Sequence, residues 1–383
     1  MRRLGLLWLL ALRLPGADPV SQGWDHFYNL EYDQAVETFR RLTEATPGQP
    51  LYYNYLAQAV LYRELYRLGA LESELLTGND HFTRSEKIRP DPAESARFHA
   101  AVNHAMELAS LRLKTSPRDE QALYALGSSY ALRTNFRFLV EKGWRAAVGD
   151  GAQARKLHNQ VLQINPANHD ALLTQGAYDY IIGSLPWHTR LLGFLVGHRG
   201  DKNRGIRTVE LVAQTGDRNR VDAQVLLAIL YRREKRYAQA VEILDPLIRA
   251  YPRNYLFRLE KGHMLSDLGK KDEALAVLRE VEELARESPR IPLSKIYYEI
   301  GNVQFWYNDL DQALENMRRV TGSEKLDPPT GVLAWMRTGQ ILDLTHRRQE
   351  AQEAYRQAIR VAPQTAAAEE SRRYLSSPYR RKT

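Results

Sequence analysis

The chain of 383 residues contains no cysteine. It therefore forms no disulfide and no thiolate metal site, and it has neither a cysteine nucleophile nor a cysteine that could carry a lipid. Its ten histidines are scattered singly along the sequence. Even His99 and His104 are five residues apart, whereas a pair that binds a metal from one helix face is four apart. The sequence thus predicts no metal and no cofactor.

Patterns of catalytic groups are also missing. Gly197 and Gly200 precede a predicted helix, but a phosphate-binding loop would need a preceding strand as well. Glutamates such as Glu280 and Glu283 recur at the spacing of a solvated helix face. No stretch combines a nucleophile, a base and an oxyanion donor. We therefore expect a protein that is not an enzyme.

The formal net charge of +8 comes from the two ends of the chain. Three uncompensated cations, Arg2, Arg3 and Arg13, lie near the start. Five more lie in the last dozen residues: Arg372, Arg373, Arg380, Arg381 and Lys382. The body between them is close to neutral, which is unlike a protein that follows a phosphate backbone. We expect no nucleic-acid partner.

No apolar run is long enough to span a bilayer, and the run over residues 4–12 is far too short. Two arginines precede it, and Pro15, Gly16 and Ala17 form a small-residue exit. This is the layout of a secretory signal peptide over residues 1–17. We expect an exported protein, periplasmic or otherwise associated with a bacterial cell envelope. The alternative is a cytoplasmic protein that begins with an amphipathic segment.

One spacing near the C-terminus is the strongest positive signal. A large residue, a small one and another large one are followed by alanine, a ring, alanine and proline at fixed offsets. The residues are Trp335, Gly339, Leu342, Ala351, Tyr355, Ala358 and Pro363. This spacing resembles the tetratricopeptide repeat, a helix–turn–helix unit of about 34 residues. The resemblance implies an interaction surface and not a reaction centre.

The same offsets recur upstream, most simply as two small residues twelve positions apart. Such pairs are Gly301–Ala313, Gly262–Ala274 and Ala228–Ala240. They let two helix backbones approach closely. With the less regular units of the N-terminal half, we predict an all-α fold, a right-handed α-α superhelical solenoid of about eight such units. Interrupted repeats are expected over residues 18–220, regular repeats over 221–363, and a helix end with a basic tail over 364–383.

Three consecutive units in the N-terminal half are too long. The distance between the two small residues is 48 from Ala57 to Ala105, 27 from Gly127 to Ala154, and 29 from Gly176 to Gly205. We therefore predict enlarged inter-helix joints at 69–93, 133–150 and 181–203. Stacked repeats place equivalent insertions on the same edge.

Apolar residues in the second and third joints predict an apolar rim. These residues are Phe138, Trp144, Trp187, Leu191 and Phe194. In one interpretation they cover each other and the helix ends beneath them, which is the usual fate of apolar side chains. In the other, they form an exposed patch that docks a partner or a membrane surface.

In the tetratricopeptide family the first helix of each unit lines a concave groove. Carried over, this predicts the partner-binding residues Tyr124, Tyr180, Arg232, His263, Tyr298, Asn302, Phe305 and Gln340. Some family members bind a peptide carboxylate with a lysine and an asparagine. Here Asn302 and Arg337 are present, but Tyr298 stands in the place of the lysine, so we do not predict that clamp.

A groove of aromatic, apolar and isolated polar residues suits an extended peptide or a helix. The predicted function is a non-catalytic scaffold or adaptor that binds a protein or peptide partner in a bacterial envelope. The alternative is a peripheral membrane-associated assembly factor that docks through the apolar segment 181–197. Packing against the adjacent repeat is the competing role for any single groove residue.

Overall fold

The structure is a computed structural model and describes residues 18–71, 90–141, 143–185, 200–324 and 326–381. These residues form seventeen α-helices and one 3₁₀ turn, and they contain no strand. The predicted all-α fold of paired helices is therefore confirmed. The chain divides into two compact units, residues 1–223 and 224–383, which are described in turn.

The first unit contains eight complete helices and the first residues of a ninth. They are α1 (Pro19–Tyr28), α2 (Tyr32–Ala45), α3 (Pro50–Arg67), α4 (Pro92–Thr115), α5 (Glu120–Leu139), α6 (Trp144–Ile164), α7 (Leu172–Gly183), α8 (Lys202–Thr215) and α9 (Arg220–Arg233), with a 3₁₀ turn at His169–Ala171. Successive helices pack in pairs: α1 on α2, α3 on α4, α5 on α6 and α7 on α8. Proline opens α1, α3 and α4, where its missing N–H costs nothing.

The second unit continues with eight more helices after α9. They are α10 (Tyr237–Ala250), α11 (Tyr255–Asp267), α12 (Lys271–Glu287), α13 (Leu293–Trp306), α14 (Leu310–Thr321), α15 (Pro328–Leu344), α16 (Arg348–Val361) and α17 (Ala366–Ser376). Here α11 packs on α12, α13 on α14 and α15 on α16. Each of these pairs is one of the predicted units, and α17 packs on α16 and α15.

The small residues let paired helices pack closely against each other. A Cβ added at Gly205 in α8 would lie 2.5 Å from the backbone N of Tyr180 in α7. A Cβ added at Gly339 in α15 would lie 2.4 Å from the ring of Tyr355 in α16. No side chain fits at such distances without a shift of its neighbours, so the spacing used to recognise the units has a direct steric cause.

In six repeats the first helix of the pair ends in the same turn. In each, one residue has a positive φ, and the next residue donates its backbone N–H to the carbonyl five residues earlier. This is the Schellman motif. The positive-φ residues are Leu30, Gly69, Lys235, Gly269, Asn308 and His346. Five of them lie five residues before the small residue of the second helix. Gly69 is the sixth, so the first enlarged joint begins as a regular turn.

The second enlarged joint adds length to two helices and forms no separate element. Helix α5 continues to Leu139 and α6 begins at Trp144. Arg133 and Arg137, one helical turn apart on α5, both bind the buried carboxylate of Asp150 on α6. This carboxylate therefore fastens the two lengthened helices to each other beyond the regular unit.

The other two joints lie largely outside the described residues, at 72–89 and 186–199. The predicted rim residues Trp187, Leu191 and Phe194 fall there. Of the remaining two, Phe138 is half-buried on α5, and the side chain of Trp144 is also outside what is described. Within the described ranges, no helix combines the length and apolarity that crossing a membrane requires.

Candidate functional site

An ion pair and a histidine–carboxylate contact link the first helices of successive repeats in the second unit. Arg232 on α9 donates to the Glu260 carboxylate on α11 at 2.8 Å. One turn further along α11, Nε2 of His263 lies 3.0 Å from Oε2 of Glu299 on α13. All four side chains are between 6% and 15% exposed. They form a charged strip across the first helices of three consecutive repeats. Arg232 and His263 are two of the partner-binding residues that the resemblance predicts.

The strip keeps its carboxylate ionised. Burial alone would raise the pKa of Glu299, but the nearby His263, Lys295 and Arg232 outweigh it and hold that pKa below its usual value. A buried carboxylate is stable in this form only beside compensating charge. Glu299 therefore carries its negative charge at neutral pH.

Tyr298 and Asn302 lie beside this strip, one turn apart on α13, and both are half-buried. The side-chain oxygen of Asn302 is buried and accepts no hydrogen bond from any described residue. A buried acceptor without a donor costs about 1–3 kcal/mol. Such an atom calls for an explanation, and a donor supplied by a bound partner is one.

The other four predicted groove residues are covered by the chain itself. Tyr180 is 2% exposed and its backbone lies against Gly205. Tyr124 is 4% exposed, stacks on His158, and its hydroxyl accepts a hydrogen bond from Asn219 at 3.0 Å. Both belong to the first unit, where they contribute to internal packing.

Phe305 and Gln340, in the second unit, are 0% and 3% exposed. The guanidinium of Arg337 lies 4.1 Å from the centre of the Phe305 ring and donates to Gln340 at 2.8 Å. The guanidinium of Arg381 lies 5.1 Å from the same ring centre. Phe305 is thus covered partly by residues from the end of the chain, which the repeat spacing does not predict.

Asp343 is the polar centre of this region, and its side chain is fully buried. Its carboxylate accepts hydrogen bonds from the Tyr355 hydroxyl at 2.9 Å, the Arg348 guanidinium at 2.9 Å and the backbone N–H of Tyr379 at 2.8 Å. In the sequence Asp343 stands one helical turn after Gly339, but this position alone does not show which residues bind its carboxylate.

A carboxylate at the start of α9 binds two distant residues of the first unit. Asp222, at the start of α9, accepts hydrogen bonds from the Tyr28 hydroxyl at 3.0 Å and from Gln58 at 3.3 Å. Burial raises the pKa of Asp222, although the hydrogen bonds from Tyr28 and Gln58 act in the opposite direction. Asp222 is 194 positions from Tyr28 on α1 and 164 from Gln58 on α3, and no short-range pattern in the sequence points to these contacts.

No group of three or more histidine, aspartate and glutamate side chains that could hold a metal ion occurs within the described ranges. Ion pairs occur both within single helices, as in Arg319–Glu315, and between neighbouring helices, as in Arg204–Asp179.

Comparison with known proteins gives the same fold. The tetratricopeptide repeat family matches residues 20–73 and 225–289, and a second description of the same repeat matches residues 332–365. No curated protein matches the chain.

Solved structures with a similar fold include yeast Tom70, with 13% identity, coverage of 94% of this chain and 88% of that one, and a TM-score of 0.42. A tetratricopeptide repeat protein from Parabacteroides merdae has 16% identity, coverage of 82% and 96%, and a TM-score of 0.31. Pseudomonas aeruginosa pilF has 14% identity, coverage of 67% and 99%, and a TM-score of 0.40.

The matched segments contain the small-residue pairs Gly262–Ala274 and Gly339–Ala351, and in the structure each pair lies on two helices that pack on each other, α11 with α12 and α15 with α16. This chain is a tetratricopeptide-repeat protein, of a kind that generally serves as a non-catalytic scaffold for protein–protein interaction.

Proposed function

We propose that this protein is a scaffold that binds a peptide segment of a partner protein along the first helices of its second unit. The observation that carries the proposal is the charged strip formed by Arg232–Glu260 and His263–Glu299, with Tyr298 and Asn302 beside it. A helix face used only for packing is apolar. This one carries ionised and hydrogen-bonding groups on three consecutive repeats.

The strip suits a peptide because Arg232 is paired with Glu260, and His263 and Lys295 lie close to Glu299. A partner therefore need not bring a matching charge to each residue, and binding depends on shape, apolar contact and backbone hydrogen bonds. The half-buried ring of Tyr298 offers the apolar contact. The unpaired oxygen of Asn302 offers an acceptor for a peptide N–H donor.

Selection of binders from a random peptide library, followed by affinity measurement against full-length variants, tests the proposal. Tyr298→Ala and Asn302→Ala should each weaken the selected peptides by about tenfold. Tyr297→Ala is the matched control, because it removes the same ring from the next position of α13. The Tyr297 ring lies beneath Arg319 of α14, at 5.3 Å. Equal losses in all three variants, or none, would contradict a site at Tyr298.

We also propose that the protein is exported to a bacterial cell envelope. The support is the sequence of residues 1–17, in which two arginines precede an apolar run and a small-residue exit. Mass spectrometry of the N-terminus of the protein isolated from cells checks this. A protein that retains residues 1–17 and fractionates with the cytoplasm would contradict it.

A second candidate function is docking to a membrane surface at the third joint. Ile181, at the start of this joint, is 49% exposed, which favours an apolar contact there. Flotation with liposomes tests it, because replacing both Trp187 and Phe194 by serine should abolish co-flotation. Flotation that persists in the double variant would refute this function.

A further inference from the structure

The segment 377–381, here called the tail segment, lies on the first helices of the last repeats. The backbone N–H of Tyr379 donates to Asp343 on α15 at 2.8 Å. The guanidinium of Arg381 donates to the backbone carbonyl of Phe305 at the end of α13. The ring centres of Tyr379 and Phe305 are 6.1 Å apart. The tail segment therefore has two anchor residues, and each binds a different repeat.

The anchors alternate with a residue that points away. Tyr379 and Arg381 are half-buried, while Arg380 between them is exposed. A period of two is the mark of an extended chain with one face on a surface. The tail segment thus binds the repeats as an extended peptide, the kind of ligand that the proposed function assigns to this face.

The surface that receives the anchors is held in place by the repeats. The Asp343 carboxylate keeps the Tyr355 hydroxyl and the Arg348 guanidinium as partners without Tyr379. Arg337 lies over Phe305 at 4.1 Å from its centre. The carbonyl that binds Arg381 lies at the negative end of the α13 dipole, which favours a cation. The binding surface is therefore preorganised.

We propose that these residues form a peptide site selective for a tyrosine followed two positions later by an arginine, and that the tail segment occupies it until such a partner peptide displaces it. The inference rests on the proposed function, because both place a partner peptide on the first-helix face. It adds the chemistry of the partner: an extended segment with an aromatic residue and a cation on the same side.

Occupation by the tail segment has a measurable consequence for affinity. A tethered ligand competes at an effective concentration on the order of millimolar. An added peptide of the same sequence binds only the fraction of molecules with an open site, so its apparent affinity is reduced by that fraction. Weakening the tail segment should therefore strengthen the binding of the added peptide.

The experiment uses the full-length chain and a fluorescein-labelled peptide of sequence SSPYRR, which copies residues 376–381. Anisotropy titrations compare the wild type, the double variant Tyr379→Ala/Arg381→Ala and the control Arg380→Ala, whose changed residue points away. The double variant should bind the peptide about tenfold or more tightly than the wild type. The control should stay within a factor of about two of the wild type.

Altered peptides test selectivity without any risk to folding. Binding to the double variant should weaken about tenfold when alanine replaces the peptide's tyrosine or its last arginine. Alanine in place of the middle arginine should change it by a factor of about two at most. Equal binding of all peptides, or no binding by a double variant with the circular dichroism of the wild type, would overturn the proposal.

Two further outcomes separate this inference from others. If the wild type dimerised with increasing concentration while the double variant stayed monomeric, the tail segment would bind another copy of the chain. The proposal that it yields to a partner peptide would then be refuted. A chain that binds library peptides through Tyr298 but does not bind SSPYRR would retain the proposed function and lose this inference.

Discussion

The stability of the first unit should depend on pH through His158. This side chain on α6 is 2% exposed and faces Gly127 of α5. Its Nδ1 lies 2.8 Å from the Thr174 hydroxyl and its Nε2 lies 3.3 Å from the Tyr124 carbonyl. A neutral ring that donates from Nε2 to the carbonyl and accepts from the hydroxyl at Nδ1 satisfies both partners, and burial disfavours the charged ring.

The size and sign of the effect follow from the pKa. Burial lowers the pKa of His158 from 6.5 to about 4, although the Tyr124 carbonyl acts in the opposite direction. The unfolded chain therefore takes up a proton below about pH 6.5 while the folded chain does not. Stability is full above that pH and falls as the pH is lowered toward 4. At 1.36 kcal/mol per pKa unit, the loss amounts to about 3 kcal/mol over the whole window.

Urea unfolding of the wild type and of His158→Gln, followed by circular dichroism at about pH 7.5, 5.5 and 4.5, measures this. The glutamine amide can make the same two hydrogen bonds but does not titrate. The carboxylates common to both chains cancel in the comparison. The wild type should lose about 2–3 kcal/mol relative to the variant between the highest and the lowest pH. A difference that stays constant with pH would refute the reasoning.

Two substitutions test the helix contacts. Gly339→Ala should destabilise the second unit by about 1–3 kcal/mol in thermal or urea unfolding, because its Cβ would meet the fully buried ring of Tyr355. Its control, Gly149→Ala, meets no atom within 4 Å and should stabilise the chain by about 0.5–1 kcal/mol. Asp150→Asn should cost about 3 kcal/mol, because it leaves Arg133 without its bidentate carboxylate. Stabilities equal to that of the wild type would contradict both contacts.

The repeat fold was predictable because its packing depends on residues at fixed distances. A glycine on the first helix leaves room for a large side chain of the second, so the spacing of Gly339 and Tyr355 reports the contact directly. The left-handed turn between the two helices of a repeat is harder to recognise in the sequence. A positive φ costs a residue other than glycine about 1–2 kcal/mol, and the packing of the paired helices outweighs this cost, so Lys235, Asn308 and His346 occupy the position that Gly269 fills elsewhere.

The conformation of the second joint could not be predicted from its length. Counting residues between Gly127 and Ala154 shows an excess but does not distinguish added loop from added helix. The distinction depends on whether the extra turns find partners. Arg133, Arg137 and Asp150 supply them, and the spacing of the two arginines at one helical turn was a signal that could have been used.

For the groove positions, the sequence does not show which side chains are covered by other parts of the chain. Helical periodicity identifies which residues share a face, but it does not show what lies on that face. Arg232, His263, Tyr298 and Asn302 remain partly accessible, so for these residues a role in partner binding stays a prediction. Phe305 is covered because a segment more than seventy residues away returns to it, which no local pattern encodes.

The tail segment also shows why a sum of charges describes this protein poorly. Arg381 counts fully toward the net charge of +8, yet its guanidinium is held by a carbonyl at the end of α13 and by the Phe305 ring. Arg380, next to it, is exposed. The two residues are identical in composition and opposite in environment, because an extended chain on a surface alternates its side chains. The basic end of the sequence is therefore partly a ligand of the protein's own repeats, and its specificity lies in the order of its residues and not in their total charge.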